Sequence, residues 1–383
     1  MSSRVDYDPQ VIQNLVKDYE RIALVFQGGG ALGAYQAGVY EALSETGAEP
    51  DWISGISIGA INSAIIAGNT PENRVSRLRE FWDTVSSRKL WAFTPDGDAF
   101  RTVRNQLSAM AGVQFGQPGF FRPRWPNPWL MPSGADGATS FYDTAPLRDT
   151  LLKLVDFDLI NNGKKHFSVG ATNVRTGNFI YFDNSTHRIG PEHIMASGAL
   201  PPGFPAVRID GEYYWDGGVV SNTPLQWLLD RELHPSTLVF QVDLFSARGP
   251  LPRNMFDVIE RQKDIGYSSR TRSTTDLFRR VQALRTRYAE AIMRIPEQLR
   301  TEEDLQTLDR FSKSGAVNIC HLIYQGRQYE RDCKDYEFSH ASMREHWQSG
   351  VEDTLNTLRH TDWLVRPPRE ASVVVHDVHR KPD

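Results

Sequence analysis

Two successive units, in each of which a short apolar strand turns into a helix, constrain the fold of this chain most. Residues 21–27, Arg-Ile-Ala-Leu-Val-Phe-Gln, are typical of a buried strand, and helical spacing follows over residues 34–43. A second short strand over residues 52–56 leads directly into the apolar helix of residues 58–67. Because successive strand-to-helix units favour a parallel sheet covered by helices, the sequence predicts an α/β fold.

Alternating or helical spacing predicts further elements along the rest of the chain. Strands are expected at residues 166–171, 178–182, 237–245 and 317–324, a hairpin at 207–215, and helices at 145–155, 192–197 and 342–358. Between about residues 87 and 140 the pattern gives way to proline, glycine and aromatic residues, which predicts a long loop. A loop of that length inside a compact domain is usually functional or mobile.

Composition and charge narrow the class of protein. The chain has 383 residues, of which 40% are apolar and 23% charged, as is ordinary for a globular protein. A formal net charge of -4 gives no general basic field, so the overall balance does not suggest a nucleic-acid partner. The N-terminus lacks an apolar leader, and no stretch approaches the roughly 20 apolar residues of a membrane span. We therefore expect a soluble cytoplasmic protein.

The cysteines fit the same compartment. Cys320 and Cys333 have neither the number nor the spacing of a disulfide framework or a zinc site, which favours a reducing environment. Nothing else in the sequence resembles a cluster of metal ligands. We therefore expect no metal and no other cofactor.

A serine lies where the second predicted strand meets its helix. Gly55-Ile56-Ser57-Ile58-Gly59 matches G-x-S-x-G in the strand-to-helix context that a nucleophile elbow requires. Gly55 and Gly59 lack the β-carbons that would clash at a sharp turn, so the Ser57 hydroxyl can project while the Ile58 N–H points toward it. A serine that caps a helix N-terminus would give the same motif, which therefore does not decide the function by itself.

The first strand ends in a run of glycines. The bare amides of Gly28, Gly29 and Gly30 can point toward an acyl oxygen that becomes negative during nucleophilic attack, as an oxyanion hole requires. With Gly33, the same run also satisfies G-x-G-x-x-G, the fingerprint of dinucleotide binding. A dinucleotide fold would place an acidic residue at the end of the second strand, but that strand ends at Ser57. The position of Ser57 at the end of the second strand therefore favours a hydrolase over a dinucleotide-binding protein.

A serine nucleophile needs a base, and the sequence offers one carboxylate in a suitable context. The ten histidines lie in no recognisable catalytic context, and we interpret each as structural or solvated. Asp216 lies at the end of a predicted strand, and Gly217 and Gly218 allow the backbone to turn tightly beside a partner. In isolation the three residues suit an ordinary turn equally well. With an unperturbed pKa of about 3.9, an aspartate would need a dry site and strong oxyanion stabilisation.

Three motifs in this order, the glycine-rich run of residues 28–33, the serine motif of residues 55–59 and Asp-Gly-Gly at 216–218, resemble those of patatin-like phospholipases. Residues 196–205, Ala-Ser-Gly-Ala-Leu-Pro-Pro-Gly-Phe-Pro, and Asn-Thr-Pro at 222–224 resemble the same family. The resemblance covers about residues 20 to 245. The part that follows resembles the helical extension found in a bacterial subset of these proteins.

The resemblance implies a three-layer α/β/α fold with a mostly parallel sheet. It also implies that Ser57 and Asp216 form a catalytic dyad without histidine, which hydrolyses acyl esters of lipids through an acyl-enzyme. Many members of the family carry Arg or Lys at the position of Leu32. The resemblance divides the chain into an N-terminal arm (1–20), a catalytic domain (21–245) and a mainly helical C-terminal extension (246–383).

Several partners and functions stay open at the level of sequence. The aromatic segment of residues 115–131 suits a cap over an apolar acyl slot, a contact with a membrane or lipid granule, or a packed loop. A basic helix in the extension suits either packing on the core or a membrane surface. Its predicted apolar face is Phe278, Val281, Leu284, Tyr288 and Ile292. A soluble esterase, a storage-polyester hydrolase and a non-catalytic lipid- or granule-binding scaffold are the alternatives to a lipid hydrolase. The oligomeric state is not predicted.

Overall fold

A computed structural model describes residues 8–86, 98–230, 236–312, 315–327, 329–330, 333–368 and 371–379. The helices of these residues are α1 (Pro9–Val16), α2 (Gly33–Ser44), α3 (Ile58–Ala67), α4 (Pro71–Val85), α5 (Asp98–Phe115), α6 (Ala145–Leu154), α7 (Phe157–Asn162), α8 (Pro191–Ser197), α9 (Leu225–Leu229), α10 (Met255–Tyr267), α11 (Thr271–Met293), α12 (Glu302–Ser312) and α13 (His340–Leu358). The strands are β1 (Arg21–Phe26), β2 (Trp52–Gly55), β3 (Arg122–Pro123), β4 (Tyr142–Asp143), β5 (His166–Asn173), β6 (Phe179–Asp183), β7 (Val207–Ile209), β8 (Glu212–Asp216), β9 (Thr237–Asp243), β10 (Val317–Ile323) and β11 (Val373–His376). Within the described part of the chain, no helix is both long and apolar enough to cross a membrane.

A central, mostly parallel sheet organises the molecule. Its strand order is β11-β10-β9-β1-β2-β5-β8-β7, and β6 pairs with β5 outside this path. The run from β11 to β5 is parallel, whereas β6, β7 and β8 pair antiparallel. This arrangement confirms the predicted fold class. The strands and helices expected from residue 145 onward also form, with bounds that shift by one or two residues at most ends.

The two faces of the sheet carry different helices, because side chains alternate along each strand. In β1, Leu24 and Phe26 face a large cluster that includes residues of α2, α3, α4 and α13. Ala23 and Val25 face the opposite cluster, which includes residues of α9 and α11. The result is the three-layer α/β/α arrangement.

The sheet brings the predicted motifs to one edge. Ser57 follows β2, and the glycine-rich run follows β1, the parallel neighbour of β2. Asp216 ends β8, which runs antiparallel to β5 and pairs Asp216 with Ala171. Because β5 also pairs with β2, the antiparallel entry of β8 brings Asp216 to the edge that carries Ser57.

Two segments have more structure than the sequence indicates. Residues 98–115 form α5, so the predicted loop between about 87 and 140 is wrong for this part; residues 87–97 lie outside the described residues. The predicted polar arm contains α1, whose Ile12 and Val16 are buried in the core. Apolar residues follow helical spacing in both helices, so the sequence carried a helical signal that the predictions of a polar arm and a long loop overlooked.

The C-terminal part shares the sheet and the core with the rest of the chain. β10 pairs with β9 and β11 pairs with β10, so two strands beyond residue 245 extend the same sheet. α13 packs tightly on α2, where a β-carbon at Gly38 would lie 1.9 Å from the Trp347 carbonyl oxygen. The division of the chain at residue 245 stays a prediction about domains.

The basic helix is α11, and it buries less of its predicted apolar face than expected. Phe278 and Ile292 are buried, whereas Leu284 and Tyr288 are more than half exposed. The first half of this helix, where Thr271, Thr275 and Gln282 are also buried, therefore packs more closely than the stretch around Leu284 and Tyr288.

Candidate active site

The turn at Ser57 has the geometry of a nucleophile elbow. Ser57 has φ 56° and ψ -123°, a conformation that L-residues rarely adopt. A β-carbon at Gly55 would lie 2.2 Å from the Gly59 carbonyl oxygen, and one at Gly59 would lie 2.6 Å from the Phe26 carbonyl oxygen. The glycines of the motif are therefore required by the close approach of backbone on both sides of Ser57.

The Ser57 backbone is held in this conformation by α8. The Ser57 N–H donates to the carbonyl oxygen of Ser197 at 3.1 Å and to its hydroxyl oxygen at 3.0 Å. The Ser197 hydroxyl in turn donates to the Gly170 carbonyl oxygen at 2.6 Å. The sequence did not single out Ser197, although it belongs to the segment that carries the family resemblance.

The Ser57 side chain lies against the carboxylate of Asp216, where its interaction favours the ionised form of that carboxylate. Asp216 is only 2% exposed, and its Oδ1 also accepts from the Gly218 N–H at 2.7 Å. Burial raises the pKa of Asp216 to about 7, although the hydrogen bonds from Ser57 and Gly218 act in the opposite direction. The pair thus places a hydroxyl beside a carboxylate whose pKa is raised to about 7.

The glycine loop, residues 28–33, presents only some of its amides. The Gly28 N–H donates to the Asn222 carbonyl oxygen at 3.2 Å, so the structure differs at Gly28 from the prediction of a free donor. The N–H groups of Gly29, Gly30 and Ile58 have no acceptor within the described part of the chain. Gly28, Gly29, Gly30 and Ile58 all line the cavity that contains Ser57.

This cavity has a volume of about 310 Å³. Asp216 and Ser57 lie in its lining together with many apolar side chains, among them Ile58, Ile61, Val113, Phe120, Phe121, Leu200, Phe204, Phe245 and Phe338. Phe120, Phe121, Tyr142 and Phe204 form a packed aromatic group, with ring centroids 4.7 to 6.1 Å apart. The only charged residues in the described lining are Asp216 and Asp335. The space suits an apolar chain attached to a reacting group at Ser57.

A family model described as patatin-like phospholipase matches residues 24–229. The chain belongs to this family. A second model, described as patatin phospholipase, matches residues 265–370. Among solved structures, the chain is similar to VipD from Legionella pneumophila, with 17% identity and a TM-score of 0.39. That similarity covers 89% of this chain and 67% of that chain and is too low to carry an argument. None of the curated proteins matches significantly.

The supporting glycines of this patatin-like phospholipase lie where backbone or side chains approach closely. A β-carbon at Gly33 would lie 2.5 Å from Ile58 Cγ1, and one at Gly217 would lie 2.7 Å from the Gly170 carbonyl oxygen. Gly218 donates to Asp216 as described above. Leu32, at the position where many family members carry a cation, is fully buried and does not line the cavity.

No histidine lines the described part of the cavity of this patatin-like phospholipase. Several histidines have carboxylate partners elsewhere: His166 with Asp183, His321 with Asp243, and His346 with Glu330. His234 lies outside the described residues. Among the described residues, the carboxylate that interacts with Ser57 is that of Asp216.

Two residues that the sequence did not single out hold the glycine loop. Asn222 Nδ2 donates to the Gly28 carbonyl oxygen at 3.0 Å, so Asn222 and Gly28 exchange two hydrogen bonds. The Asp335 carbonyl oxygen accepts from the Ala31 N–H at 2.7 Å. The Asn-Thr-Pro at 222–224 was a usable signal for the first contact, whereas no local pattern marks Asp335.

Proposed function

We propose that this chain is a serine hydrolase that cleaves carboxylic esters of lipids, with Ser57 as nucleophile and Asp216 as base. The observation that carries the proposal is the position of Ser57 beside the buried carboxylate of Asp216 in one cavity, next to amides without acceptors. A carboxylate with a pKa of about 7 is a far stronger base than an exposed aspartate. Membership of the patatin-like phospholipase family supports the same chemistry.

The proposed reaction has two halves. Ser57 Oγ attacks the ester carbonyl carbon while its proton passes to the Asp216 carboxylate. The negative oxygen that forms accepts hydrogen bonds from the N–H groups of Gly29, Gly30 and Ile58. The carbon–oxygen bond of the leaving alcohol then breaks, and the alcohol takes the proton from Asp216. Water attacks the acyl-enzyme with Asp216 again as base, which releases the acid and restores Ser57.

The cavity lining favours esters with an apolar acyl chain. No Lys or Arg lies among the described lining residues, and the second carboxylate, Asp335, is paired with Lys263. A group with a full negative charge would therefore find no cation at the reacting end, whereas hydrocarbon would contact aromatic rings. Short-chain soluble esters and hydroxyalkanoate polyesters would use the same mechanism, and a profile of nitrophenyl esters by chain length separates them from lipid substrates.

We also propose that the enzyme contacts a lipid surface at the mouth of the cavity. α5 contributes Gly112 and Val113 to the lining, and elsewhere along this helix Phe100, Val103, Leu107 and Met110 are exposed. In the segment that follows α5, Trp125 is 92% exposed and Trp129 is 83% exposed. Tryptophan combines an apolar ring with an N–H donor and is favoured where hydrocarbon meets water.

Covalent labelling tests the catalytic proposal directly. A fluorophosphonate should label the wild-type protein at Ser57, and Ser57→Ala should lose both labelling and ester hydrolysis. A wild-type protein that is neither labelled nor active would instead support a non-catalytic lipid-binding scaffold. Labelling that persists in Ser57→Ala would show that another residue is the nucleophile.

A further inference from the structure

We infer that the C-terminal part of the chain holds the glycine loop in its active conformation, with Lys263 and Asp335 as positioning residues. The contacts involve a strap, residues 333–338, and α10, both of which lie beyond residue 245. The consequence for the reaction rate rests on the proposed function, whereas the conformational part of the inference does not. The inference assigns a role to residues 265–370, which the second family model matches, and to α10, which begins before them.

The strap contacts the glycine loop through its backbone. The Asp335 carbonyl oxygen accepts from the Ala31 N–H at 2.7 Å. Gly30 has φ 54°, and a β-carbon there would lie 2.0 Å from the same Asp335 oxygen. Since no side chain can occupy that space, the strap lies directly against the backbone that carries two of the proposed oxyanion donors. Tyr336 and Phe338 of the strap also line the cavity.

Ion pairs tie the strap to α10. Lys263 Nζ pairs with Asp335 Oδ1 and lies 5.1 Å from the centroid of the Tyr336 ring. From the neighbouring strap residue, Lys334 Nζ lies 2.6 Å from Asp264 Oδ1 and 3.5 Å from Glu260 Oε1. The Lys334 side chain is only 4% exposed, so its pairing is shielded from water. These contacts set the position of the Asp335 carbonyl.

The end of α10 holds the other side of the loop. The Tyr267 carbonyl oxygen, at the last residue of the helix, accepts from Asn222 Nδ2 at 3.1 Å and from Gln27 Nε2 at 3.0 Å. Asn222 is the residue that exchanges two hydrogen bonds with Gly28. Side-chain amides thus satisfy a carbonyl that the helix leaves without a partner. One helix therefore supports both ends of the segment from Gly28 to Ala31.

Fixed donors matter because an oxyanion hole stabilises the transition state only if its N–H groups are already aimed at the developing charge. A loop that is free to move would bind the substrate as before but would lose part of this stabilisation. The loss should therefore appear in kcat with little change in KM.

The test compares Lys263→Met, which keeps the apolar stem but removes the ion pair, with Lys263→Arg, which restores a cation. Asp335→Asn removes the pair from the other side, so the test does not depend on the folding of one variant. Asp276→Asn is the matched control, because it removes an exposed ion pair with Arg279 on α11. Hydrogen exchange of peptides that cover residues 27–35, kcat and KM on a soluble ester, and thermal unfolding are measured for each variant.

We expect faster exchange of the Ala31 segment in Lys263→Met and Asp335→Asn, near wild-type exchange in Lys263→Arg, and no change in Asp276→Asn. We also expect kcat to fall about tenfold or more in the first two variants, with KM within about twofold, since loss of a single oxyanion donor costs roughly 100-fold or more. Unchanged exchange in both variants, or a loosened loop with unchanged kcat, would overturn the inference. An inactive wild type would contradict the proposed function instead, and hydrogen exchange alone would then decide the inference.

Discussion

The two walls of the candidate active site differ in the hydrogen bonding of their polar groups and in the exposure of their apolar side chains. The wall formed by Ser57, Asp216 and the glycine loop is buried or half-buried, and its polar groups have defined partners except the N–H groups of Gly29, Gly30 and Ile58. The wall formed by α5 and the aromatic segment that follows includes Val113, which is 54% exposed, and beyond the lining the same region leaves Met110 and Trp129 exposed.

Because of this difference, we expect the two walls to tolerate amino-acid substitutions differently. In the first wall, a β-carbon added at Gly30, Gly55 or Gly59 would lie 2.0 to 2.6 Å from a backbone oxygen, so one added carbon atom would disrupt it. The exposed wall is more tolerant, because its side chains contact solvent. We therefore expect substitutions in the first wall to abolish chemistry, and those in the second to change only which surfaces or substrates the protein binds.

Asp216→Asn should lower the activity more than the other substitutions, and it tests the role of the wall that contains Ser57 and Asp216. An amide cannot accept the Ser57 proton, so kcat should fall at least about 100-fold, in line with general-base contributions. Steady-state hydrolysis of a soluble nitrophenyl ester measures the loss. Asp158→Asn is the control, because Asp158 forms an exposed ion pair with Arg188 far from the cavity lining. If a single histidine variant lost as much activity as Ser57→Ala, the assignment of Asp216 as the base would be wrong.

The pH dependence should follow the ionisation of the same residue. Burial raises the pKa of Asp216 to about 7, and only the ionised carboxylate can act as a base. The rate should therefore rise about tenfold per pH unit below 7 and level off above it. A profile of kcat/KM between pH 5 and 9 would measure this, and a rate that is already level at pH 5 would contradict it.

Stability provides an independent measurement of the same pKa. Because the folded-state pKa of Asp216 is raised above the unfolded value, the folded protein binds the proton more tightly than the unfolded chain does. Its contribution to stability is complete below about pH 4 and is lost as the pH rises through about 7. The loss corresponds to roughly 4 kcal/mol for a shift of about three units. Denaturant unfolding at pH 5 and 8 gives the free energy of unfolding of wild type and of Asp216→Asn. The difference between the two proteins should change with pH, because only the wild type has the ionisable carboxyl group.

Phe338→Ala tests the aromatic lining between the two walls. The ring centroids of Phe338 and Phe120 lie 5.8 Å apart, and Phe338 is buried. Because Phe338 lines the cavity, removal of its ring enlarges the cavity. We expect a shift of several-fold in kcat/KM toward longer or bulkier acyl chains, together with a loss of about 3 kcal/mol in stability. Phe311→Ala, on α12 and outside the described lining, is the control. An unchanged chain-length profile in a folded variant would contradict a role for Phe338 in the acyl slot.

The exposed wall should give the smallest effect on chemistry. Trp125→Ser combined with Trp129→Ser should leave hydrolysis of a soluble ester within about twofold of wild type, since neither ring lines the cavity. Binding to phospholipid vesicles, measured by sedimentation, should weaken several-fold. The control is Leu251→Ser, which removes an apolar side chain that is 88% exposed elsewhere. Equal vesicle binding by all three proteins would end the proposal of a lipid contact at this wall.

The parts of the site that sequence predicted are those in which neighbouring residues specify a backbone shape. Gly55 and Gly59 flank Ser57 because no β-carbon fits there, and that requirement is visible in five consecutive residues. The strand-to-helix order predicted the sheet for a similar reason, since alternating and helical spacing are local properties. α5 was missed although Phe100, Val103, Leu107 and Met110 follow helical spacing, because the proline, glycine and aromatic residues next to it were interpreted with it as one loop.

The sequence by itself determined the α/β class, the turn at Ser57 and the choice of Asp216 as candidate base, because each depends on residue types that are adjacent in the chain. Only the tertiary structure decided that the Gly28 amide is already bound, that Asp335 and Tyr267 support the glycine loop, and that strands beyond residue 245 extend the same sheet. These contacts join segments separated by up to about 300 residues. They arise from how packed elements meet, which no local pattern records.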